Sequence, residues 1–254
     1  YKTVNENPFA KIGGKPEILF MGLRNSWKFT FDKETGDIFI PDVGSEYIEE
    51  LNIVKYDDFN KMLNFGWSCY EGSYKIFDKH YEDVKDSQEI CNKNLNNKKI
   101  NFVNPSLQYY HDSIIKTKFL YGNSIIGGVV YKNPNSIWHN HYFFGDLVSS
   151  NIWYLDIHKE KKIGINLIFG GDLGITSLNQ IDNKILATSF TGNIFELILP
   201  EKKNIEKSIY NRPIIESKLS AIEIINENNQ IVFTAGSKMY KILKKIRIYL
   251  NKFL

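Results

Sequence analysis

Short apolar runs broken by polar positions recur along the second half of the chain and predict β-strands. Residues 151–155 (Asn-Ile-Trp-Tyr-Leu) have a counterpart at 193–197 (Asn-Ile-Phe-Glu-Leu) and another at 238–242 (Lys-Met-Tyr-Lys-Ile), spacings of 42 and 45 residues. The alternation inside each run is typical of half-buried sheet. Each copy follows a shorter apolar strand and a polar turn; these strands lie at 142–146, 184–188 and 230–234.

Several short strands per unit, with a period in the low forties, predict an all-β fold built from four-stranded propeller blades. A two-sheet sandwich is the alternative interpretation. Large rings would fill the contacts between blades, as is typical of sheet packing. We therefore expect Trp67, Trp138 and Trp153 to pack there.

The first section of the chain follows the same scheme, with strands predicted at 27–32, 37–40 and 50–54. Residues 55–117 form a long excursion rich in Asn, Lys, Asp and Tyr, and loops of that length are usually functional or disordered. About four blades then fit in the remaining length. Closed propellers of this kind usually need more blades, since an unclosed ring leaves open sheet edges on its first and last blades, and such edges invite aggregation. We expect residues 1–254 to form one partial propeller domain, with N-terminal blades absent from the chain.

Composition narrows the class of protein only slightly. The chain has 254 residues, 24% charged, with a formal charge of +3 that is mostly dispersed, so no nucleic-acid partner is expected. It contains no apolar run of about 18 residues, so no membrane span is expected. It begins at Tyr1 without a signal peptide, which indicates a removed leader or a fragment. The basic tail at 244–254 is read as a solvated end, with an anionic partner or membrane surface as the alternative.

Two cysteines, Cys69 and Cys91, lie in one polar, loop-like segment. A disulfide between them would restrain a segment that has no core of its own. It would also indicate an oxidising compartment, either periplasmic or secreted. Two unrelated thiols are the alternative.

The pair Arg24-Asn25 lies between two predicted apolar strands. A permanent cation beside an amide that can form two hydrogen bonds is not needed for strand packing, so the pair predicts a ligand or a partner. A structural pair that caps a blade edge is the alternative. The loop from Asp42 to Glu50 is rich in Asp, Glu and Gly, which favours a hard cation bound through oxygen atoms. A solvated turn is the other interpretation of that loop.

Residues 22–54 resemble the glucose/sorbosone dehydrogenase family, the soluble sugar dehydrogenases that use pyrroloquinoline quinone (PQQ). Residues 64–72 (Asn-Phe-Gly-Trp-Ser-Cys-Tyr-Glu-Gly) are similar to the family's "NYGWPxxEG" segment. Residues 124–131 and 142–146 are similar to its later blades, and the likeness runs from about 7 to 199. The resemblance implies a six-bladed β-propeller of the soluble quinoprotein glucose dehydrogenase type, matched over its C-terminal two-thirds.

Cys69 and the Phe-Phe-Gly-Asp run at 143–146 are closest to the secreted branch of that family, which includes hedgehog-interacting-protein-like propellers. The resemblance implies oxidation of a sugar at C1 by hydride transfer to PQQ. It identifies no electron acceptor.

The resemblance also implies roles for individual residues. Arg24 and Asn25 match the pair at the cofactor and substrate, and Arg24 would orient PQQ or the developing oxyanion. Gly44 and Ser45 match the backbone carbonyls that hold the calcium which polarises PQQ. Two further ligands, Glu50 and the carbonyl of Phe65, match a second, structural calcium site.

Three departures from the family pattern support a second interpretation. The family's general base is a His in N-terminal blades that this chain does not contain. Residues 145–150 and 171–176 carry no Lys or Arg for the PQQ carboxylates, and burying those carboxylates without cations is costly. Ser26 also replaces the usual Pro. The alternative function is therefore a non-catalytic calcium-binding propeller that binds a carbohydrate or a protein partner.

Overall fold

The computed structural model describes residues 7–76, 89, 91–93, 99–111, 120–157, 164–169, 173–199, 221–225 and 231–235. Seventeen β-strands and two 3-10 helices, Ala10–Ile12 and Tyr56–Asp58, lie in these residues. The strands in chain order are β1 (Thr30–Phe31), β2 (Ile38–Asp42), β3 (Ile48–Val54), β4 (Leu63–Asn64), β5 (Tyr70–Glu71), β6 (Tyr74–Lys75), β7 (Asn101–Phe102), β8 (Leu107–Tyr110), β9 (Ile125–Val130), β10 (His141–Asp146), β11 (Ile152–Asp156), β12 (Gly164–Phe169), β13 (Ile175–Ile181), β14 (Lys184–Ser189), β15 (Ile194–Leu197), β16 (Ala221–Ile225) and β17 (Ile231–Ala235).

Successive antiparallel sheets follow one another along the chain, as in a propeller. The first blade has the order β1-β2-β3-β8 and the second β12-β11-β10-β9. A third sheet contains β13-β14-β15, and β16 pairs with β17. The prediction of an all-β, partial propeller of about four blades is therefore confirmed.

The repeated runs fall on equivalent strands of successive blades. Residues 151–155 and 193–197 lie largely on β11 and β15, and each of these strands pairs with the strand before it. The copy at 238–242 and the basic tail at 244–254 lie outside the described residues. The predicted excursion at 55–117 includes the short strands β4 to β7, and it also supplies β8, the fourth strand of the first blade.

Large rings fill the contacts between blades. Phe39 of the first blade stacks on Tyr142 of the second, with ring centroids 4.4 Å apart. Trp153 is fully buried in the same cluster. Trp138 packs in the cluster shared by the second and third sheets. Each such ring contributes roughly 1.5–3 kcal/mol through burial, whereas Trp67 is only half-buried and lies at the site described below.

The first three sheets also meet at their first strands. Lys28 extends over Gly127, where a Cβ would lie 2.0 Å from the Lys28 carbonyl oxygen. Its ammonium donates to the carbonyl of Leu178 and to Oδ1 of Asn179 at 2.8 Å. Glycine in β9 therefore lets one cation join three blades. Among the described residues, no helix is long and apolar enough to cross a bilayer.

Candidate functional site

The turn that carries Arg24 and Asn25 is fixed by a single buried carboxylate. Asp42, the last residue of β2, accepts the backbone N–H of Arg24 at 2.8 Å and that of Asn25 at 2.7 Å. It also accepts the hydroxyl of Ser26 at 3.0 Å. Burial raises the pKa of Asp42, and these hydrogen bonds oppose the rise. The predicted ligand pair thus lies at the end of the first blade's second strand, in a defined geometry.

The side chain of Arg24 turns toward the loop that follows β2. Its Nη1 donates to the carbonyl of Gly44 at 2.9 Å and to that of Val43 at 3.2 Å. Its guanidinium carbon lies 5.2 Å from the ring centroid of Trp67, a cation–π contact. The predicted residues Arg24, Asn25, Gly44 and Ser45 are therefore neighbours, and together with Asp42 we call them the rim site.

Two rim residues leave polar groups open. Arg24, Asn25 and Ser45 are exposed. Within the described residues the side-chain amide of Asn25 makes no hydrogen bond. An exposed amide and a guanidinium with unused N–H groups can together bind an anionic or carbonyl oxygen.

The loop after Gly44 is held by Glu71, a residue to which the sequence assigned no role. Its Oε1 accepts the backbone N–H groups of Glu46, Tyr47 and Ile48 at 2.9, 2.7 and 2.9 Å. A Cβ at Gly44 would lie 2.6 Å from that same oxygen and 1.9 Å from the carbonyl oxygen of Ile48, so the loop requires glycine there. The sequence signal that could have pointed to Glu71 was its position in the Glu-Gly pair that ends the 64–72 segment.

The predicted disulfide is present beside this support. Cys69 and Cys91 are bonded, with Cα atoms 5.6 Å apart, and both are buried. Cys69 lies two residues before Glu71, so the crosslink restrains the segment that holds the rim loop.

Glu50 lies on one face of β3 among other acidic groups. Its carboxylate accepts the backbone N–H of Gly72 and the amide of Asn52. Burial, together with the charges of Asp42 and Glu71, raises the pKa of Glu50 to about 8. The buried Oδ1 of Asn52 has no hydrogen-bond partner among the described residues. We call Asp42, Glu50, Asn52 and Glu71 the Glu50 face; it brings three carboxylates together, and the Oδ1 of Asn52 is its buried acceptor without a donor.

Phe65, the other predicted ligand of the second calcium, lies in an apolar cluster with Ile38 and Ile40. Its N–H donates to the carbonyl of Met21. Among the described residues, no hydrogen bond joins Phe65 to Glu50.

Glu49, the neighbour of Glu50, points to the opposite face of β3 and into the contact between the first two blades. Its Oε1 lies 2.6 Å from Nε2 of His111, and its Oε2 accepts the N–H of Ile125 at 2.8 Å. Burial alone would lower the pKa of His111, but Glu49 outweighs it and the pKa is raised. The sequence placed Glu49 in a possible cation loop, whereas the structure gives it the ring of His111 as its partner.

Asp146 completes this buried polar group from the second blade. It accepts the hydroxyl of Tyr109 at 2.7 Å and the N–H of Ser124 at 2.8 Å. It also accepts the N–H of Ser149 at 2.8 Å, which closes the turn after β10. We call Glu49, His111, Tyr109 and Asp146 the Glu49 face. Its groups join two blades and are occupied with one another.

The rim site and the Glu50 face fit a hard cation better than they fit a whole quinone. The Gly44 carbonyl already faces a cationic group, and the Glu50 face combines clustered carboxylates with one buried oxygen that has no donor, the kinds of oxygen ligand that Ca²⁺ takes. No group of three or more His, Cys, Asp or Glu side chains within the described residues could hold a metal ion, so backbone carbonyls would have to contribute. PQQ carries three carboxylates, and Arg24 fits one of them. The Lys28 ammonium is already bonded to the third blade.

The sequence comparisons extend over most of this region. The model of the "Glucose / Sorbosone dehydrogenase" family matches residues 2–175. Two relatives from Arabidopsis thaliana, the HIPL2 protein and the HIPL1 protein, are 31% and 28% identical over 156 residues. These alignments cover 60% of this chain and 20% of each relative, so the chain spans about a fifth of the curated relatives it matches.

The structural comparisons agree on the fold. A solved structure named glucose dehydrogenase superposes with a TM-score of 0.53 at 16% identity, covering 78% of this chain and 51% of the other. A second crystal structure of glucose dehydrogenase gives a TM-score of 0.54 at 15% identity, covering 78% and 52%. Because the family model matches well over half of the residues, the chain belongs to the glucose/sorbosone dehydrogenase family.

Proposed function

We propose that this chain provides the calcium-binding and quinone-facing part of a sugar dehydrogenase that oxidises C1 of an aldose with PQQ. The observation that carries the proposal is the rim site, where Arg24 and Asn25 lie beside the Gly44 carbonyl. A guanidinium and an open amide can bind an anionic oxygen through charge-assisted hydrogen bonds, and backbone carbonyls are among the oxygen ligands that Ca²⁺ takes.

Each rim residue would have a separate task. The carbonyls of Gly44 and Ser45 would hold Ca²⁺, while Arg24 and Asn25 would bind a carboxylate or carbonyl oxygen through charge-assisted hydrogen bonds. Asp42 would hold the turn at Arg24 and Asn25 in place, since its oxygens already accept three donors from that turn. PQQ, when bound, supplies the hydride acceptor for C1. The base that takes the hydroxyl proton would lie outside the rim site.

The Glu50 face would hold a second, structural Ca²⁺, with Glu50 ionised and the carbonyl of Phe65 as a further ligand. A bound cation would offset the charges that now raise the pKa of Glu50. It would also give the unpartnered Oδ1 of Asn52 a contact. This is the support for a structural ion at that face.

We further propose that residues 1–254 act as one partial propeller unit in an oxidising compartment, either periplasmic or secreted. The buried Cys69–Cys91 disulfide supports the compartment, because such bonds persist where thiols are not kept reduced.

The proposal is tested on the purified chain and on the full-length protein, each supplied with calcium and PQQ. We expect PQQ to quench tryptophan fluorescence, since Trp67 lies under Arg24, and the full-length protein to reduce a dye when an aldose is added. Arg24→Met should weaken the affinity for PQQ, measured by this quenching, at least tenfold, as expected for loss of a charge-assisted hydrogen bond. Lys33→Met, an exposed charge change elsewhere, should not. Calcium-bound protein with no quenching and no dye reduction would exclude the dehydrogenase.

One observation favours a second candidate function, a non-catalytic calcium-binding propeller that binds a carbohydrate or a protein partner. In the described residues Arg24 is the only basic side chain of the rim site, and residues 145–150 contain none. A polyanionic quinone would therefore leave carboxylates without cations, which is costly. Calcium binding that persists without any PQQ binding, in the full-length protein, would select this function.

A further inference from the structure

Arg24 bonds to the very oxygen that the proposed catalytic calcium requires. Its Nη1 donates to the Gly44 carbonyl at 2.9 Å and to the Val43 carbonyl at 3.2 Å. The guanidinium is exposed, but Trp67 lies under it and Asp42 fixes its backbone. The side chain is therefore held over the loop from two sides.

A guanidinium and a calcium ion cannot both use this carbonyl at full strength. Both are cations, and each takes the lone pairs that point out of the loop. The loop cannot turn away to serve both, because Glu71 bonds to three of its N–H groups. Gly44 is also packed against Ile48, where a Cβ would lie 1.9 Å from the carbonyl oxygen.

We propose that Arg24 is a resident cation that calcium displaces from the Gly44 carbonyl, and that this displacement frees the guanidinium to bind an anionic ligand at the rim. The inference rests on the proposed calcium at Gly44 and Ser45 and concerns how that site is regulated. Calcium binding and anion binding are then positively coupled, and the coupling is reciprocal.

Removing a residue from a binding site usually weakens binding, whereas the displacement predicts that removing Arg24 strengthens calcium binding. Replacing Arg24 by methionine removes the competitor and should tighten calcium binding about tenfold, the value of one charge-assisted hydrogen bond. Terbium luminescence sensitised by Trp67, followed by competition with calcium, measures the affinity on the purified chain. Arg24→Lys should bind calcium with intermediate affinity, and Lys33→Met removes a charge elsewhere and should leave the affinity unchanged.

A second measurement follows the guanidinium itself. The chain has only three arginines, so the Nε–H resonance of Arg24 is assigned by its loss in Arg24→Lys. We expect this resonance to shift as calcium is added, with the same midpoint as terbium displacement. Thermal unfolding of each variant shows that it is folded.

The outcomes are distinct. Calcium affinity that is unchanged or weaker in Arg24→Met, with wild-type binding intact, overturns the displacement and leaves the proposed function standing. Wild-type protein that binds neither terbium nor calcium overturns both. Tighter binding in Arg24→Met, together with a calcium-dependent Arg24 resonance, supports the displacement.

Discussion

Two adjacent glutamates on β3 have different neighbours, although burial raises the pKa of both. Glu49 points into the contact between the first two blades, where His111 and the N–H of Ile125 use both of its oxygens. Glu50 points to the other face, where burial, Asp42 and Glu71 raise its pKa to about 8. Successive residues of a strand face opposite sides, so one step along the chain separates a carboxylate beside a histidine ring from one beside two other carboxylates.

The difference separates a face that joins two blades from the face at which we propose a bound cation. A buried carboxylate whose two oxygens meet a histidine ring and a backbone N–H has its hydrogen bonds satisfied, and removing it is costly because its partners stay buried. A buried carboxylate among carboxylates is held neutral by a proton, or else ionised by a metal ion.

The largest effect is expected from Glu49→Ala. The substitution leaves the His111 ring and the Ile125 N–H without their acceptor inside the blade contact. We expect a loss of about 3–5 kcal/mol in the free energy of unfolding, measured by urea denaturation. Glu17→Gln, an exposed change, is the matched control. A loss below about 1 kcal/mol would mean that the Glu49 face does not hold the blades together.

The second prediction concerns the pH dependence of stability without calcium. An unfolded Glu titrates near 4.5, whereas Glu50 in the fold titrates at about 8, so the folded chain holds an extra proton between these values. The free energy of unfolding therefore falls as the pH rises through this window, by on the order of 3 kcal/mol. Glu50→Gln should flatten the profile. Urea denaturation in chelator from pH 5 to pH 8 measures the free energy of unfolding of the wild type and of Glu50→Gln. Identical pH profiles for the two proteins would contradict the raised pKa of Glu50.

The third prediction adds calcium to the same comparison. At pH 7.5, calcium at one hundred times its dissociation constant should stabilise the wild-type chain by about 2.7 kcal/mol. Glu50→Gln should lose most of this gain, since an amide is a weaker ligand than a carboxylate. Thermal unfolding with and without calcium checks the effect. Magnesium, which demands stricter geometry, is the control ion; an equal gain with magnesium would argue against a calcium site.

The smallest effect is expected from Tyr109→Phe. The change removes the hydroxyl that donates to Asp146 at 2.7 Å but keeps the ring against Trp153. Asp146 keeps its backbone donors, so we expect a loss of about 1 kcal/mol. Urea denaturation measures it, with the exposed Tyr56→Phe as control. A stability equal to that of the wild type would show that this hydroxyl contributes nothing to the blade contact.

The blade repeat was predictable because it is local. Alternating apolar and polar residues give strands, and their period gives blades, so β10, β11, β14 and β15 lie where the runs at 142–146, 151–155, 184–188 and 193–197 place them. The long excursion at 55–117 was harder to interpret. Its strand β8 (Leu107–Tyr110) belongs to the first blade, yet it pairs with β3 more than 50 residues earlier in the chain. Pairing over that distance leaves no periodic signal.

The candidate site divides in the same way. The sequence marked Arg24, Asn25 and the loop after Asp42 as unusual for strands, and marked the two cysteines as a pair. It did not find Glu71 or His111, because each acts through contacts made across the fold. A single acidic or histidine residue in a loop carries no sign of which partners folding will supply.

The sequence by itself determined the all-β blade pattern and marked Arg24, Asn25 and the loop after Asp42, because side-chain type and spacing express these directly; the family followed from the resemblance of its motifs. Only the tertiary structure decided which neighbours each carboxylate has. Asp42, Glu49, Glu50 and Glu71 have the same chemistry, and their roles differ because folding gives them backbone N–H groups, a histidine ring or one another as neighbours. Burial sets the cost of an unmatched charge, and burial belongs to the fold.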